Sequence, residues 1–391
     1  MTNKPAIRSF PNASLRPPFR ADHVGSLLRP DRLKQAREQL LGTHAVDTNF
    51  GPHHNEELRK IEDECIREAI AMQERVGLRS VTDGELRRRS FMLELFMSWE
   101  GLAASKSSVG SFKWKGYLNS TEELSGINIV APIRWQKSAI LEHFKFLKAN
   151  TRQTPKLCLP APNLAHYFLA NSGKLDGTPY RNIDQFWDDL VGAYRQELKM
   201  LAAAGATYIQ LDDVCFAYLC DPAHRSYVTA RGYDPDDLLL TYSEKINEVI
   251  ADLPADVTVT VHTCRGNREG SWVAEGAYEP VADILFNQTN VNGYFLEYDS
   301  DRAGGFGPLR YLPKGKTVVL GLVSTKTPGL ESADSLTRRI EEASRVVGLD
   351  SLALSPQCGF ASSYRGNPLT LSEQEAKLAR VVEVADRVWG T

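Results

Sequence analysis

His262 and Cys264 stand two residues apart at the end of an alternating β-branched run, Val257-Thr258-Val259-Thr260-Val261. Residues i and i+2 of an extended chain point to the same side, so an imidazole and a thiol converge there. The pair is half of a soft-metal site, and zinc is the ion it suits best. Alone, the H-x-C spacing is a weak signal. It gains force from two later strand ends, Phe295-Leu296-Glu297 and Ser355-Pro356-Gln357-Cys358, each of which offers one more ligand, Glu297 and Cys358. Two thiolates, an imidazole and a carboxylate fill a tetrahedral shell, and the oxygen ligand can yield to an incoming thiol. A thiol held on zinc is a thiolate at neutral pH, the form that attacks carbon. The chemistry implied is alkyl transfer to sulfur rather than hydrolysis. Each residue also has a plainer use: His262 as a core histidine, Cys264 and Cys358 as small buried hydrophobes, Glu297 as a partner of Arg302 or Arg310. Jointly, at three successive strand ends, they favour a metal.

A second constellation is Glu85 and Asp212, with Ser26 nearby. Two ionised carboxylates at strand ends suit a substrate ammonium group, with Ser26 facing the substrate carboxylate. The competing use is pairing with the Arg87-Arg88-Arg89 run, which is otherwise expected to be a solvated face. Cys215 and Cys220 lie five apart, no metal spacing, and are read as structural. Cys65 falls on the inward face of its helix. His53-His54 reads as an exposed loop pair. Trp99, Trp114 and Trp187 are left open between packing and pocket lining.

The elements that must position these groups alternate. Residues 19–28 read as a first strand running into a glycine turn, followed by a helix over 30–41 and a loop over 42–55. Leu58, Ile61, Cys65, Ala69 and Met72 recur at spacings of three and four, which predicts a helix over 56–75, closed by Gly77. Short strands are expected at 79–83, 156–160, 207–212, 256–262, 294–298, 316–322 and 351–354, with helices at 184–204, 235–250 and 334–347. The last helix, 372–389, takes Ser372 as N-cap and Glu375 as capping-box partner. Residues 101–135 are rich in Ser and Gly and read as an elaborated loop or hairpin. About eight strands separated by helices imply a parallel sheet. No G-x-G-x-x-G follows the first strand, which disfavours a doubly wound sheet. A (β/α)₈ barrel accounts for one thing more. Asp22, His23, Ser26, Glu85, Asp212, His262, Cys264, Glu297 and Cys358 all fall at carboxyl ends of strands, which a barrel gathers on one face.

Composition sets the bounds. The chain has 391 residues, 42% apolar and 24% charged, with a net charge of -3. That balance gives no general pull toward nucleic acid or an anionic membrane. Six cysteines in such a length are no disulfide framework, so a reducing, cytoplasmic setting is expected. No apolar run is long enough to span a bilayer. Residues 1–18 read as a tail and 19–391 as a single zinc-binding barrel domain. A homo-oligomer stays open.

Taken in order, Arg20-Ala-Asp-His-Val-Gly-Ser26, Val81-Thr-Asp-Gly-Glu85, Ile209-Gln-Leu-Asp-Asp213, His262-Thr-Cys264, Phe295-Leu-Glu297 and Ser355-Pro-Gln-Cys358-Gly-Phe360 resemble the cobalamin-independent methionine synthases. The likeness runs from about residue 19 to the end and is closest to the short, single-barrel branch. It implies a (β/α)₈ barrel in which His262, Cys264, Glu297 and Cys358 hold Zn²⁺, while Ser26, Glu85 and Asp212 hold the amino-acid part of homocysteine. The implied reaction is methyl transfer to the homocysteine thiolate, from methyl-tetrahydrofolate or a simpler donor, giving methionine. His262, Cys264 and Cys358 are then the catalytic centre. Two other readings accompany it: a relative that alkylates another thiol, such as coenzyme M with an epoxide, and a barrel that binds zinc and thiol without turnover. The long synthases carry a histidine after the seventh strand, where this chain reads Gly321-Leu-Val-Ser-Thr-Lys-Thr327, so either Ser324, Thr325 or Lys326 substitutes for it or its step is dispensable.

Overall fold

The computed structural model describes residues 16–42, 53–138, 140–169, 175 and 177–391; most of the expected tail lies outside them. Nine strands are present among these residues: β1 (Ser80–Val81), β2 (Glu100–Lys113), β3 (Thr121–Arg134), β4 (Thr154–Pro160), β5 (Tyr208–Asp213), β6 (Thr258–Thr263), β7 (Gly293–Glu297), β8 (Thr317–Val323) and β9 (Leu352–Pro356). Seven of them form one parallel sheet in the order β1-β4-β5-β6-β7-β8-β9. Every residue of β5, β6, β7 and β9 is buried. Such unbroken burial belongs to parallel strands covered on both faces, and helices such as Ile183–Ala203 and Pro235–Ile250 supply the outer cover.

The eighth position is filled by residues 19–28. Asp22 N–H donates to Leu354 O at 3.0 Å and Leu354 N–H to Arg20 O at 2.9 Å, which attaches this segment to β9. On its other flank Leu27 N–H donates to Gly84 O at 2.9 Å, and Thr82 Oγ1 to Gly25 O at 2.6 Å, just beyond β1. The ring closes as the expected (β/α)₈ barrel, although the first stave makes a single bridge, Ala21 with Leu354, rather than a full strand.

Below the mouth, the barrel carries a polar plug. Asp22 takes Lys156 Nζ at 3.2 Å, Ser80 Oγ at 2.7 Å and Tyr208 OH at 2.8 Å, all fully buried. His23 is fixed against Ser80 O at 3.2 Å. Asp22 and His23 are therefore spent on holding the first stave and do not join the functional face as their positions implied. Asp22→Asn would leave the Lys156 ammonium buried without its counter-charge. Urea unfolding of this variant is expected to show a loss of about 3–5 kcal/mol.

Two other expectations are corrected. The last helix is Leu371–Trp389, capped by Thr370 with Glu373 as its capping-box partner, two residues earlier than Ser372 and Glu375. Arg87, Arg88 and Arg89 are buried, not solvated. Arg87 pairs with Glu62 at 3.3 Å and Asp63 at 2.6 Å, so the run is consumed by the helix Glu56–Arg75 and by the site itself.

The excursion after the second stave is an antiparallel hairpin, β2 with β3, folded over the barrel mouth. It is pinned to the loop that follows β6: Lys115 N–H donates to Trp272 O at 2.7 Å, Trp272 N–H returns to Lys115 O at 3.1 Å, and Leu118 N–H donates to Ser271 Oγ at 2.8 Å.

Candidate metal and substrate site at the barrel mouth

β6 ends in His262-Thr263, and its neighbours in register decide what meets there. Asp212 of β5 is the cross-strand partner of His262, and Phe295 of β7 lies on its other side. The imidazole is sandwiched accordingly: Nδ1 lies 3.3 Å from Asp212 Oδ1 and Nε2 lies 3.3 Å from Gln357 O. Cys264 and Cys358 approach to 3.5 Å between sulfurs. A tetrahedral zinc with ~2.3 Å bonds to sulfur would set its two thiolates about 3.8 Å apart, so little movement separates this pair from a closed shell. One ligand atom from each of His262, Cys264, Glu297 and Cys358 falls within 4.8 Å of all the others, and all four residues are buried.

Glu297 makes the fit more specific. Its Oε1 accepts Arg265 N–H at 3.0 Å, whereas Oε2 is buried without a hydrogen bond, its nearest cation Arg302 at 3.5 Å. A carboxylate oxygen buried without a hydrogen bond, on a residue whose ligand atom lies within 4.8 Å of two sulfurs and a ring nitrogen, fits the donor set of a soft metal ion. Burial works against the Glu297 charge, but Lys326, Arg302 and Arg265 together hold its carboxyl below the usual range. Burial would also raise the Cys358 thiol; hydrogen bonds from Cys264 and His262 outweigh it and bring Cys358 down to about 5. The same contacts, with Asp212, lift His262 to about 10 against burial. The protein alone thus favours an imidazolium–thiolate pair, and a cation taking its place would release the imidazole proton. With Nδ1–H donating to Asp212, Nε2 is left as the metal-facing nitrogen.

Glu85 reaches the mouth by a strained turn. Gly84 and Glu85 both adopt left-handed backbone, φ 67° and 55°, and Asp83 Oδ1 accepts the Glu85 N–H at 2.9 Å. A non-glycine residue held there marks a functional constraint more often than an accident. Arg29 clamps the turn from behind through Glu85 O at 2.9 Å and Arg88 O at 2.7 Å. Burial, reinforced by Asp212 and Asp83, pushes Glu85 up to about 8 in spite of Arg88, whose Nη1 lies 3.6 Å away. Glu85 is therefore protonated at neutral pH until a cation arrives, which modifies the expectation that both carboxyls are ionised. Ser26 sits where the first stave meets the loop after β9. A Cβ at Gly359 would lie 1.9 Å from Ser26 Oγ, so only glycine lets Cys358 and Ser26 share this corner.

Ser26, Glu85, Asp212, His262, Cys264 and Cys358 line one cavity of about 290 Å³, with Glu297 buried beside the sulfurs. All seven residues expected in the site are brought together. The sequence reading missed Cys158, whose ligand atom clusters with those of Glu85 and Asp212 within 4.8 Å. Its thiol points to Val24 O at 3.1 Å, and burial keeps it well above its ordinary range, a neutral neighbour for the two acids. The inward alternation Lys156, Cys158, Pro160 on β4 was the available signal. Phe91 was also missed as a lining residue; of the three tryptophans left open, Trp114 lines the cavity, Trp99 packs edge-on to Tyr194 and Trp187 packs against His166. At the place of the absent histidine, Lys326 Nζ is committed to Gly266 O at 3.0 Å and Asn267 Oδ1 at 3.1 Å. It braces the loop carrying Cys264 rather than entering the cavity.

The barrel mouth thus joins two thiols, an imidazole and a carboxylate beside a pair of acids. Residues 180–387 match the family model described as cobalamin-independent synthase, catalytic domain. The chain is 40% identical to the uncharacterised protein YxjG of Bacillus subtilis, over 96% of each, and 26% identical to the methionine synthase of Pyrococcus abyssi, over 78% of this chain and 80% of that one. Its fold matches a candidate vitamin-B12-independent methionine synthase from Listeria monocytogenes with a TM-score of 0.72 at 33% identity, covering 96% of this chain and 99% of that one. The chain belongs to the cobalamin-independent methionine synthase family. Among the described residues no helix is long and apolar enough to cross a membrane.

Proposed function

We propose that this protein is a zinc-dependent S-methyltransferase that converts homocysteine to methionine, with 19–391 as its single catalytic domain. The observation that carries the reading is the shared cavity: a soft four-ligand cluster and a carboxyl pair sized for an ammonium group lie side by side. Zinc in the cluster of His262, Cys264, Glu297 and Cys358 would keep the substrate thiol ionised near neutral pH. Glu85 and Asp212 receive the substrate ammonium, and Ser26 receives its carboxylate. The buried walls keep water from competing with the thiolate. A sulfonate-bearing thiol such as coenzyme M would lack the ammonium and meet the charge of Asp212 instead, which argues against the epoxide-opening alternative. The test compares acceptors with methyl iodide as an indifferent methyl source. Homocysteine should be methylated at least ~10-fold faster than coenzyme M or 3-mercaptopropionate at equal subsaturating concentration, since a charge-assisted bond contributes ~1.5–3 kcal/mol. Equal rates for the three thiols would overturn the assignment.

A pH dependence follows from Glu85. Because its folded pKa of about 8 lies above the ordinary carboxyl value, the free site holds a proton that an incoming ammonium must displace. Methionine, which has no thiol to titrate, should bind more tightly as pH rises from 6 to 8, by up to ~10-fold per unit, and level off above that. Calorimetry should record release of about one proton at the low end, and Glu85→Gln should flatten the slope.

A further inference from the structure

Resting on the acceptor reading above, we propose that the methyl donor is a compact methylsulfonium compound, bound against the apolar wall of the same cavity. Size comes first. A volume of about 290 Å³ lies at the lower edge of the ~300–1,000 Å³ usual for small-molecule sites, and two reactants must share it. The upper wall is formed by Phe91, Met92 and Leu93, by Trp114 and Leu124 of the hairpin, and by Phe168. Aromatic faces and a thioether are the surfaces that receive an onium cation.

Charge points the same way. Asp212 and Asp213 line the cavity and supply its negative charge, since Glu85, the third carboxyl there, holds its proton in the free site and faces Arg88. The one arginine among the described lining residues, Arg268, is paired with Glu122, lies 3.9 Å from Glu269 and stands 5.9 Å from the Trp114 ring, leaving the other aromatic faces of the wall to the donor cation; no lysine lines the cavity among them. A polyanionic tail finds little to neutralise it, whereas a cation is attracted. Trp114 Nε1–H is buried without a hydrogen-bond partner, and an acceptor on the donor molecule, such as a carboxylate, would satisfy it.

The reaction also suits this setting. In methyl transfer from a sulfonium, the bond from the methyl carbon to the positive sulfur breaks as the bond to the homocysteine sulfur forms. The electron pair stays on the departing thioether, thiolate and cation become two neutral thioethers, and no proton moves. Loss of both charges is favoured by a dry, apolar cavity. A methylated tertiary amine would instead need a proton on its leaving nitrogen. Ser324, Thr325 and Lys326 do not line the cavity, and Thr325 Oγ1 and Lys326 Nζ are engaged elsewhere.

The experiment uses the zinc-loaded full chain with homocysteine and either S-methylmethionine carrying a labelled S-methyl group, 5-methyltetrahydrofolate, or methyl iodide. Labelled methionine should form from S-methylmethionine at least ~10-fold faster than from the folate. Trp114→Leu should raise the KM for S-methylmethionine about tenfold with a much smaller change in kcat, as loss of one cation–aromatic contact implies. Direct calorimetry of trimethylsulfonium should show the same weakening without turnover. Turnover of the folate but not of S-methylmethionine would overturn the donor assignment, and so would an unaltered KM in Trp114→Leu. If methyl iodide still converts homocysteine, the acceptor reading survives that failure; if it does not, both fall.

Discussion

Cys358→Ala is expected to empty the metal centre. Cys358 supplies one of two sulfurs, it sits 3.5 Å from the other, and its thiol is the one held down to about 5. Apparent binding energies for zinc in four-ligand sites run to ~10–16 kcal/mol, so a quarter of that, about 2.5–4 kcal/mol, rides on each ligand. Zinc affinity in competition with a chromogenic chelator should fall by ~100–1,000-fold. Water could fill the vacated position, but a neutral oxygen would leave only Cys264 and Glu297 to balance the ion. Cys264→Ala should lose zinc similarly, although the Cys264 thiol is held well above its ordinary range by Cys358 and by burial. Cys215→Ala, on the helix Cys215–Tyr218 outside the cluster, should retain full zinc. Stoichiometric zinc in purified Cys358→Ala, by elemental analysis, would remove this residue from the site.

The architecture and the convergence of the seven candidate residues were legible because they obey local rules. Alternation along Thr258–Thr263, the two-residue spacing of His262 and Cys264, and polar residues recurring at strand ends all follow from strand geometry and barrel topology. What escaped were quantities that depend on packing across elements. Arg87, Arg88 and Arg89 look solvent-facing as a run, yet Glu62, Asp63 and Glu85 draw the first two inward, and no local pattern announces those partners. Asp22 has the position of a mouth residue, but it points down to Lys156, because a buried ammonium three strands away in sequence needs it. Cys158 was hidden by its apolar neighbours on β4. The ionisation of Glu85 was equally out of reach: it depends on complete burial and on the carboxylates of Asp212 and Asp83. The roofing by Trp114 depends on a hairpin whose docking onto Trp272 and Ser271 is written in backbone contacts.

Asp212 is where the register of β5 and β6 alters an expectation with measurable consequences. Lying on a strand without a metal ligand, Asp212 is expected from the sequence to affect substrate but not zinc. Its pairing with His262 across the ladder changes that, since Oδ1 lies 3.3 Å from His262 Nδ1 and also accepts Gln210 Nε2 at 2.6 Å. One carboxylate therefore orients a metal ligand and faces the substrate cavity. The two roles separate by choice of substitution. Asp212→Asn keeps an amide oxygen able to accept from both neighbours, so zinc affinity should fall only modestly. Asp212→Ala removes the acceptor, and loss of such a supporting partner costs ~10–100-fold in metal affinity. Both variants discard the charge that meets the ammonium group, which should weaken homocysteine by ~10–150-fold. For 3-mercaptopropionate, which has no ammonium, the Asn variant should bind nearly as the parent does, while the Ala variant should weaken in step with its zinc loss. The measurement is affinity for each thiol and for zinc across the three proteins. If Asp212→Asn weakened both thiols alike, Asp212 would act through the metal alone and Glu85 would be left as the sole anchor for the amino group.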